Sequence, residues 1–259
     1  MPCTLVTGAS MGIGEAFARA FAAKGHDLVI VARTEPLLQN LAASCREHFG
    51  VQVTVCVADL ASAGAPESIY AFCRNRNLVI DQLVNCAGIS QAGHFTTLDP
   101  ATIRDIAMVN MMATVLLCRL FAADMVERRK GAILNVASLG GLQGVPGLGI
   151  YSATKACIIT LSEALHAELS RHGVHVSVLC PGFVDTAFFD HAHHDVNKIR
   201  LPLLRIESVV EAGLRGMQHK RLRIYPSLLD ALLAMAQRFT SRRLTVALAG
   251  YFAAVAEEK

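Results

Sequence analysis

Short, uninterrupted apolar runs alternate with amphipathic stretches over the first 180 residues, and this alternation restricts the fold more than any other feature of the chain. Cys3–Thr7, Asp27–Ala32, Val51–Val57, Gln82–Cys86, Ala132–Ala137 and Val174–Leu179 read as strands. Ile13, Phe17, Ala20 and Phe21 recur at the spacing of one helix face, and Lys24-Gly25 closes that helix. Residues 35–48, 66–76, 101–129 and 151–171 read as further helices. Strands that are apolar throughout need cover on both faces, and helices between them make the strands parallel. With right-handed crossovers, the expectation is an α/β fold, a doubly wound parallel sheet. Nothing resembling a linker or a repeat interrupts it, so residues 1–259 are expected to form a single domain. After Pro181 the alternation loosens. Residues 187–218 read as a lid region over the substrate, with 187–205 as loop and 207–218 as helix. Leu222–Tyr225 reads as a short edge strand. Residues 227–259 read as C-terminal helices, one or two of them amphipathic over 227–256.

Composition narrows the class. With 53% apolar and 17% charged residues, the chain is not a disordered one. A net charge of +3 supplies no dense cationic patch, so no nucleic-acid partner is expected. The eight cysteines are scattered, with 45 and 56 the closest pair, which excludes zinc-type spacing and predicts reduced thiols in a cytoplasmic chain. Residues 1–14 carry no Lys or Arg before the apolar stretch and no cleavage pattern after it, so no signal peptide is expected. Two uncharged runs are rejected as membrane spans: Gly131–Thr154 is broken by glycines and Pro146, and Leu244–Ala256 is too short. A mean hydropathy of +0.42 leaves attachment to a membrane surface open.

The first strand runs into Thr7-Gly8-Ala9-Ser10-Met11-Gly12-Ile13-Gly14 and then a helix. In that context glycines let backbone N–H groups approach a pyrophosphate, and the helix N-terminus faces the anion. At the end of the second strand, where an acid would hold a ribose 2′-hydroxyl, stands Arg33, whose fork suits a 2′-phosphate. NADP(H) is therefore favoured over NAD(H).

Tyr151 and Lys155 sit one turn apart on a helix, and a neighbouring ammonium is expected to lower the phenol pKa. Ser138 follows a strand at the sheet's carboxyl edge, where its hydroxyl could meet a substrate oxygen. Asn110 lies in the uncharged stretch Ile106–Cys118, so its amide must find internal partners or hold a water. Taken singly, each of these residues has an ordinary packing explanation; their joint placement at strand ends carries the signal.

Together these motifs resemble the short-chain dehydrogenase/reductase family, of the single-domain, Rossmann-like type. The matching residues are Thr7-Gly8-xxx-Gly12-x-Gly14, Asp59-Leu60, Asn85-x-Ala87-Gly88, Asn110, Ser138, Tyr151-xxx-Lys155 and Pro181-Gly182, in the family's order over residues 3 to about 186. The resemblance implies an NADP-dependent oxidoreductase passing a hydride between NADP(H) and a carbonyl or alcohol. It implies Tyr151 as general acid/base, Lys155 as its electrostatic partner and a ribose ligand, Ser138 as the group that orients the carbonyl, and Asn110 as holder of a water in the proton relay. Gly8, Ser10, Met11, Gly12, Ile13 and Gly14 would cradle the phosphates. Arg33, Asp59 and Leu60 would meet the adenosine end. Asn85, Ala87, Gly88, Pro181, Gly182, Val184 and Thr186 would line the rest of the cofactor. Two positions depart from the common pattern: Met11 stands where many NADP users have a basic residue or Ser, and Cys86 replaces the more usual Asn. The resemblance also implies a homodimer or homotetramer, with helices 101–129 and 151–171 paired across a two-fold axis.

Beyond Thr186 the resemblance fades. Phe188 and Phe189 suggest an apolar wall, so the small-molecule substrate is expected to be apolar or lipid-like. The charges around His191, His193 and His194 read as a solvated lid rather than a metal site, and no metal is expected. His94 could border the site or face solvent. The stripe Leu228, Leu229, Leu232, Leu233, Met235 reads as packing against the domain or a subunit in preference to a helix on lipid, with Arg238, Arg242 and Arg243 beside it. Two other functions fit the same features less well. One is a non-catalytic NADP(H) sensor, which has no need of an acid/base pair. The other is an epimerase or dehydratase of the extended type, for which 73 residues after Thr186 are too few.

Overall fold

A computed structural model describes residues 1–255. Seven parallel strands form one sheet: β1 Cys3–Thr7, β2 Asp27–Ala32, β3 Val53–Val57, β4 Gln82–Asn85, β5 Gly131–Val136, β6 Val174–Leu179 and β7 Arg223–Ile224, in the order β3-β2-β1-β4-β5-β6-β7. The order reverses between β1 and β4. Crossovers there leave toward opposite faces, so a crevice opens beyond the carboxyl ends of these two strands.

Both faces are covered, as the apolar strands require. Helices α1 Gly12–Ala22, α2 Glu35–Phe49 and α8 Ile206–Gln218 bury Phe17, Phe21, Leu38, Leu41, Val209 and Val210 on one face. On the other lie α3 Ala65–Asn75, α4 Pro100–Ala107, α5 Ala113–Glu127 and α6 Gly149–Ser170, with Ile69, Leu117, Phe121 and Met125 fully inside. Asp99 caps α4 by accepting from the Ala101 N–H, and Pro100 sets its first turn.

The expected helix over 101–129 is interrupted. Residues Met108–Met112 form a π turn between α4 and α5, and Asn110 is its middle residue. The whole stretch Pro100–Glu127 is long and apolar enough to cross a bilayer by composition alone, but half of its most apolar window is buried against this fold. Strands β1 and β2 lie where the sequence puts them, and the other core elements agree within two residues.

The region read as a solvated lid is solvated along Asp190, His191, His193, Asp195 and Lys198, but it is packed underneath and is not all loop. It holds a short helix, α7 Phe188–His191, and Phe189, Ala192 and His194 are buried. Apolar ring packing outweighs the flanking charges: Phe183, Phe188, Phe189 and His194 form one aromatic cluster. The segment is pinned at several points, by the Val184–Leu204 bridge, by Ala92 N–H to the Ala192 carbonyl and by Arg200 N–H to the Phe252 carbonyl. Two C-terminal helices follow, α9 Leu228–Ala236 and α10 Arg242–Ala253, capped by Ser227 and Ser241. Residues 256–259, the end of the expected C-terminal helical region, lie outside the described residues.

Candidate active site

The crevice is one continuous cavity of about 640 Å³ that runs from the glycine-rich turn, past the ends of β4 and β5, to the inner faces of α9 and α10. Its width is set at Thr7. The Thr7 hydroxyl accepts from the backbone N–H groups of both Cys86 and Ala87, at 3.1 Å each, which ties the end of β1 to the end of β4. Gly8 follows with φ +67°, and a Cβ there would stand 2.8 Å from the Ala87 Cα. Gly14 lets α1 approach the turn: a Cβ there would overlap the Gly8 carbonyl oxygen. The helix therefore starts against the crevice. Its N-cap, Met11, offers no side-chain acceptor, which leaves the first-turn N–H groups for an anion.

Every residue expected to hold a dinucleotide lines this cavity except Asn85. Gly8, Ser10, Met11, Gly12, Ile13 and Gly14 form one end, with Arg33, Asp59 and Leu60 at its rim. Ala87 and Gly88 form the floor, with Pro181, Gly182, Val184 and Thr186 beyond. These residues fit a dinucleotide: a glycine cradle where side chains would collide, an uncapped helix N-terminus, and a guanidinium at the rim. Asn85 is a correction. It pairs in register with Asn135 across β4 and β5, so both side chains share one face of the sheet. Its Nδ2 donates to Asn135 Oδ1 at 2.9 Å, and Asn135 in turn donates to Ser162. Asn85 is a buried core amide below the crevice.

The four expected catalytic residues converge, at two depths. Ser138, Tyr151 and Lys155 line the cavity. Ser138 follows β5, and its Oγ accepts from the Gly140 N–H at 3.0 Å. Tyr151 and Lys155 lie on the first turns of α6, Lys155 being almost wholly buried. The Lys155 ammonium donates to the Val136 carbonyl (2.8 Å) and stands 5.7 Å from the Tyr151 ring centre. Asn110 is one layer behind. Its Oδ1 accepts from the Ile89 N–H and its Nδ2 donates to the Ile89 carbonyl, both at 2.8 Å, with Thr154 as a further acceptor. The π turn aims this amide at the backbone beside Gly88, so its immediate effect is to fix the loop after β4.

Electrostatics reverses one expectation. Burial pushes the Tyr151 phenol up to about 12, against the pull of its hydrogen bond with Ser138. Burial also draws the Lys155 ammonium down to about 8. Taking charge out of water outweighs the one-turn spacing that reads in sequence as a lowered phenol, because the ammonium faces Val136 and not the phenol oxygen.

Several residues at the site were not singled out from the sequence. Thr7 is one. Asp230, buried on the first turn of α9, reaches the backbone of Gly182; burial raises its carboxyl pKa, opposed by hydrogen bonds from Ser227 and Gly182. Ser227-xx-Asp230 is readable as a helix start, yet nothing in it points to Gly182. Gln237 donates to Gln143 across the α9–α10 end, at 2.6 Å. His194 bonds the Ala253 carbonyl at 2.7 Å, while His94 is exposed and bonded to Thr96. Among the described residues no three His, Cys, Asp or Glu side chains are grouped to hold a metal.

Comparison with known proteins places this geometry. Residues 2–197 match the family model for short chain dehydrogenases. The very-long-chain 3-oxoacyl-CoA reductase of Phaeosphaeria nodorum is 36% identical over 202 residues, covering 76% of this chain and 57% of that protein. The chain thus spans little more than half the length of that relative. The solved short-chain dehydrogenase from Sphingobium yanoikuyae in complex with NADPH superposes with a TM-score of 0.84 at 34% identity, over 92% of this chain and 94% of that one. The bulky-bulky ketone specific alcohol dehydrogenase from Comamonas testosteroni gives 0.81 at 32% identity, over 92% and 93%. This chain belongs to the short-chain dehydrogenase/reductase family.

Proposed function

We propose that this protein is an NADP(H)-dependent oxidoreductase that interconverts a carbonyl compound and its alcohol, with an apolar or lipid-like substrate. The observation that carries the reading is the placement of Ser138, Tyr151 and Lys155 on the wall of the same cavity that begins at the glycine-rich turn. A bound nicotinamide cofactor supplies or accepts the hydride. The remaining work falls to this chain. Ser138 orients the substrate oxygen. Tyr151 holds the proton that this oxygen takes up in reduction. A phenol near 12 keeps that proton at neutral pH, so the reductive direction finds its acid ready, and alcohol oxidation gains as pH rises. Lys155 sets the local field and would bind the ribose. Asn110, through Ile89, holds the floor of the site and is the proposed holder of a relay water.

Tyr151→Phe should lower turnover about 10²–10⁴-fold while leaving NADPH binding intact. Full activity in this variant would end the assignment, and tight cofactor binding with no carbonyl reduced by the wild type would favour a sensor.

The preference for NADP(H) rests on Arg33, exposed at the tip of β2 on the cavity rim and in no ion pair among the described residues. A charge-assisted contact contributes about 1.5–3 kcal/mol, so Arg33→Ala should weaken NADPH about 10–100-fold and leave NADH unchanged, read by calorimetry. Equal losses for both cofactors would place the phosphate elsewhere.

The apolar substrate is supported by Phe188, Phe189, Leu201, Leu233 and Phe252 around the far end of the cavity. Relatives named for 3-oxoacyl-CoA and for bulky ketones agree with it. Eight unpaired cysteines suit a reducing, cytoplasmic setting. A homodimer or homotetramer through α5 and α6 is supported by small exposed residues along α6, namely Ala153, Thr160, Ala164 and Ala167, which permit close approach of a second helix.

A further inference from the structure

The C-terminal helices are apolar on both sides. Their inner sides, with Leu233 and Gln237 of α9 and Thr245 and Ala249 of α10, wall the substrate end of the cavity. An ordinary surface helix would then show water a polar outer side. Here Leu228, Leu232, Met235 and Phe239 follow one another at helical spacing, exposed by 85%, 63%, 60% and 83%. On α10 the outer row is Leu244, Leu248 and Tyr251, exposed by 49%, 41% and 57%. Sequence periodicity reads the first of these rows as packing, but among the described residues nothing covers either.

Among the described residues of α9, α10 and their connection, the exposed charges have one sign. Between Asp230, which is buried, and Ala256 the sequence contains no Asp or Glu, whereas Arg238 in the connection and Arg242 and Arg243 on the first turn of α10 are exposed. None of the three is in an ion pair among the described residues. Arg200, from the lid segment, lies over the Tyr251 ring at 4.1 Å and adds a fourth cation to the same border. Apolar rows edged by unpaired guanidiniums complement a surface that is apolar below and anionic at its boundary. A second copy of this chain would bring the same arginines into mutual repulsion if the face packed on itself.

We propose that the outer face of α9 and α10 docks on an anionic lipid bilayer, which brings the substrate end of the cavity to the membrane. The docking itself does not depend on the redox reading, since it rests on the outer rows and the arginines beside them; only the statement that the end brought to the membrane takes the substrate rests on the proposed function.

The test is co-sedimentation of the full-length protein with vesicles of phosphatidylcholine, with and without phosphatidylglycerol, at low and high salt. The protein should pellet with the anionic vesicles, and less so at high salt. Leu232→Asp with Phe239→Asp should abolish pelleting, and Arg238→Gln with Arg243→Gln should weaken it about tenfold or more. Circular dichroism and thermal melts check that each variant is folded, and carbonyl reduction in detergent-free buffer should be unchanged in both. The proposal is overturned if the wild type stays in the supernatant, or if the two apolar substitutions leave pelleting intact. It is overturned in favour of a second copy if they instead convert a larger species to a smaller one in sedimentation velocity with no vesicle binding by the wild type.

Discussion

The two ends of the cavity are held by different forces. At the sheet edge, polar bonds join residues far apart in the chain: Thr7 to Cys86 and Ala87, Asn110 to Ile89, Lys155 to Val136. There a strand end, a π turn and a helix start together hold the loop after β4, so the geometry is over-determined. At the α9–α10 end the walls are mostly apolar, and the polar pins lie around the rim of the helices: Gln143 with Gln237, Arg242 with the Leu142 carbonyl, His194 with the Ala253 carbonyl and the Arg200 N–H with the Phe252 carbonyl. Shape rather than bonding defines that end. The difference teaches where change is tolerated. Substitution at the apolar end is expected to alter which molecule fits, whereas substitution at the sheet edge is expected to disturb the proposed acid/base pair and the cofactor cradle together.

The largest effect expected on stability tests the sheet edge through its buried cation. Lys155 titrates near 8 in the native protein and near 10.5 when unfolded. Below pH 8 both states carry the proton, and the burial penalty is constant. Between pH 8 and 10.5 the unfolded chain holds more protons than the native one, so the lysine's contribution becomes more favourable as pH rises. The stability of the wild type relative to Lys155→Met should therefore increase by up to about 3 kcal/mol across that window, measured by urea unfolding at several pH values. A difference that is flat with pH would show that the ammonium is better solvated than its burial suggests.

A smaller loss is expected from the backbone of the same end. Gly8→Ala combines a left-handed backbone with a Cβ pressed on Ala87, which can yield only if β1 and β4 separate. The cost should be about 1–3 kcal/mol, accompanied by weaker NADPH binding, because the Thr7 bonds that set the crevice width stretch with it. Unchanged cofactor affinity in a destabilised Gly8→Ala protein would mean that the crevice width is set elsewhere.

The same contrast explains what could be read from residue order. Cys3–Thr7 followed by glycines announces a strand, a tight turn and a helix start, since each depends on local chemistry. Tyr151 and Lys155 announce a shared helix face for the same reason. Asn85 was misplaced because its direction depends on the pleat and on Asn135, fifty residues later. The π turn at Asn110 is silent in the apolar pattern, which continues through it. The pairing of Asp230 with Gly182 spans the substrate lid and has no local signature. The apolar periodicity of α9 reveals that a face is apolar but not which surroundings it meets.

Leu232 and Leu233 give the finest test, being neighbours in sequence on different faces of α9. Leu232 is 63% exposed and outside the cavity; Leu233 lines it. Replacing Leu232 by Ser removes no packing, so stability in solution should move by less than about 0.5 kcal/mol. Leu233→Ser should cost about 1 kcal/mol and raise KM for a long-chain ketone roughly tenfold, because it takes apolar contact from the substrate end alone. The kcat for a small ketone, which never reaches α9, should stay at the wild-type value. Equal effects of the two substitutions on KM would mean that the cap acts as one flexible unit. A fall in kcat at Leu233 would mean that α9 reaches the proton-transfer site, through Asp230 and Gly182, more directly than its place at the apolar end implies.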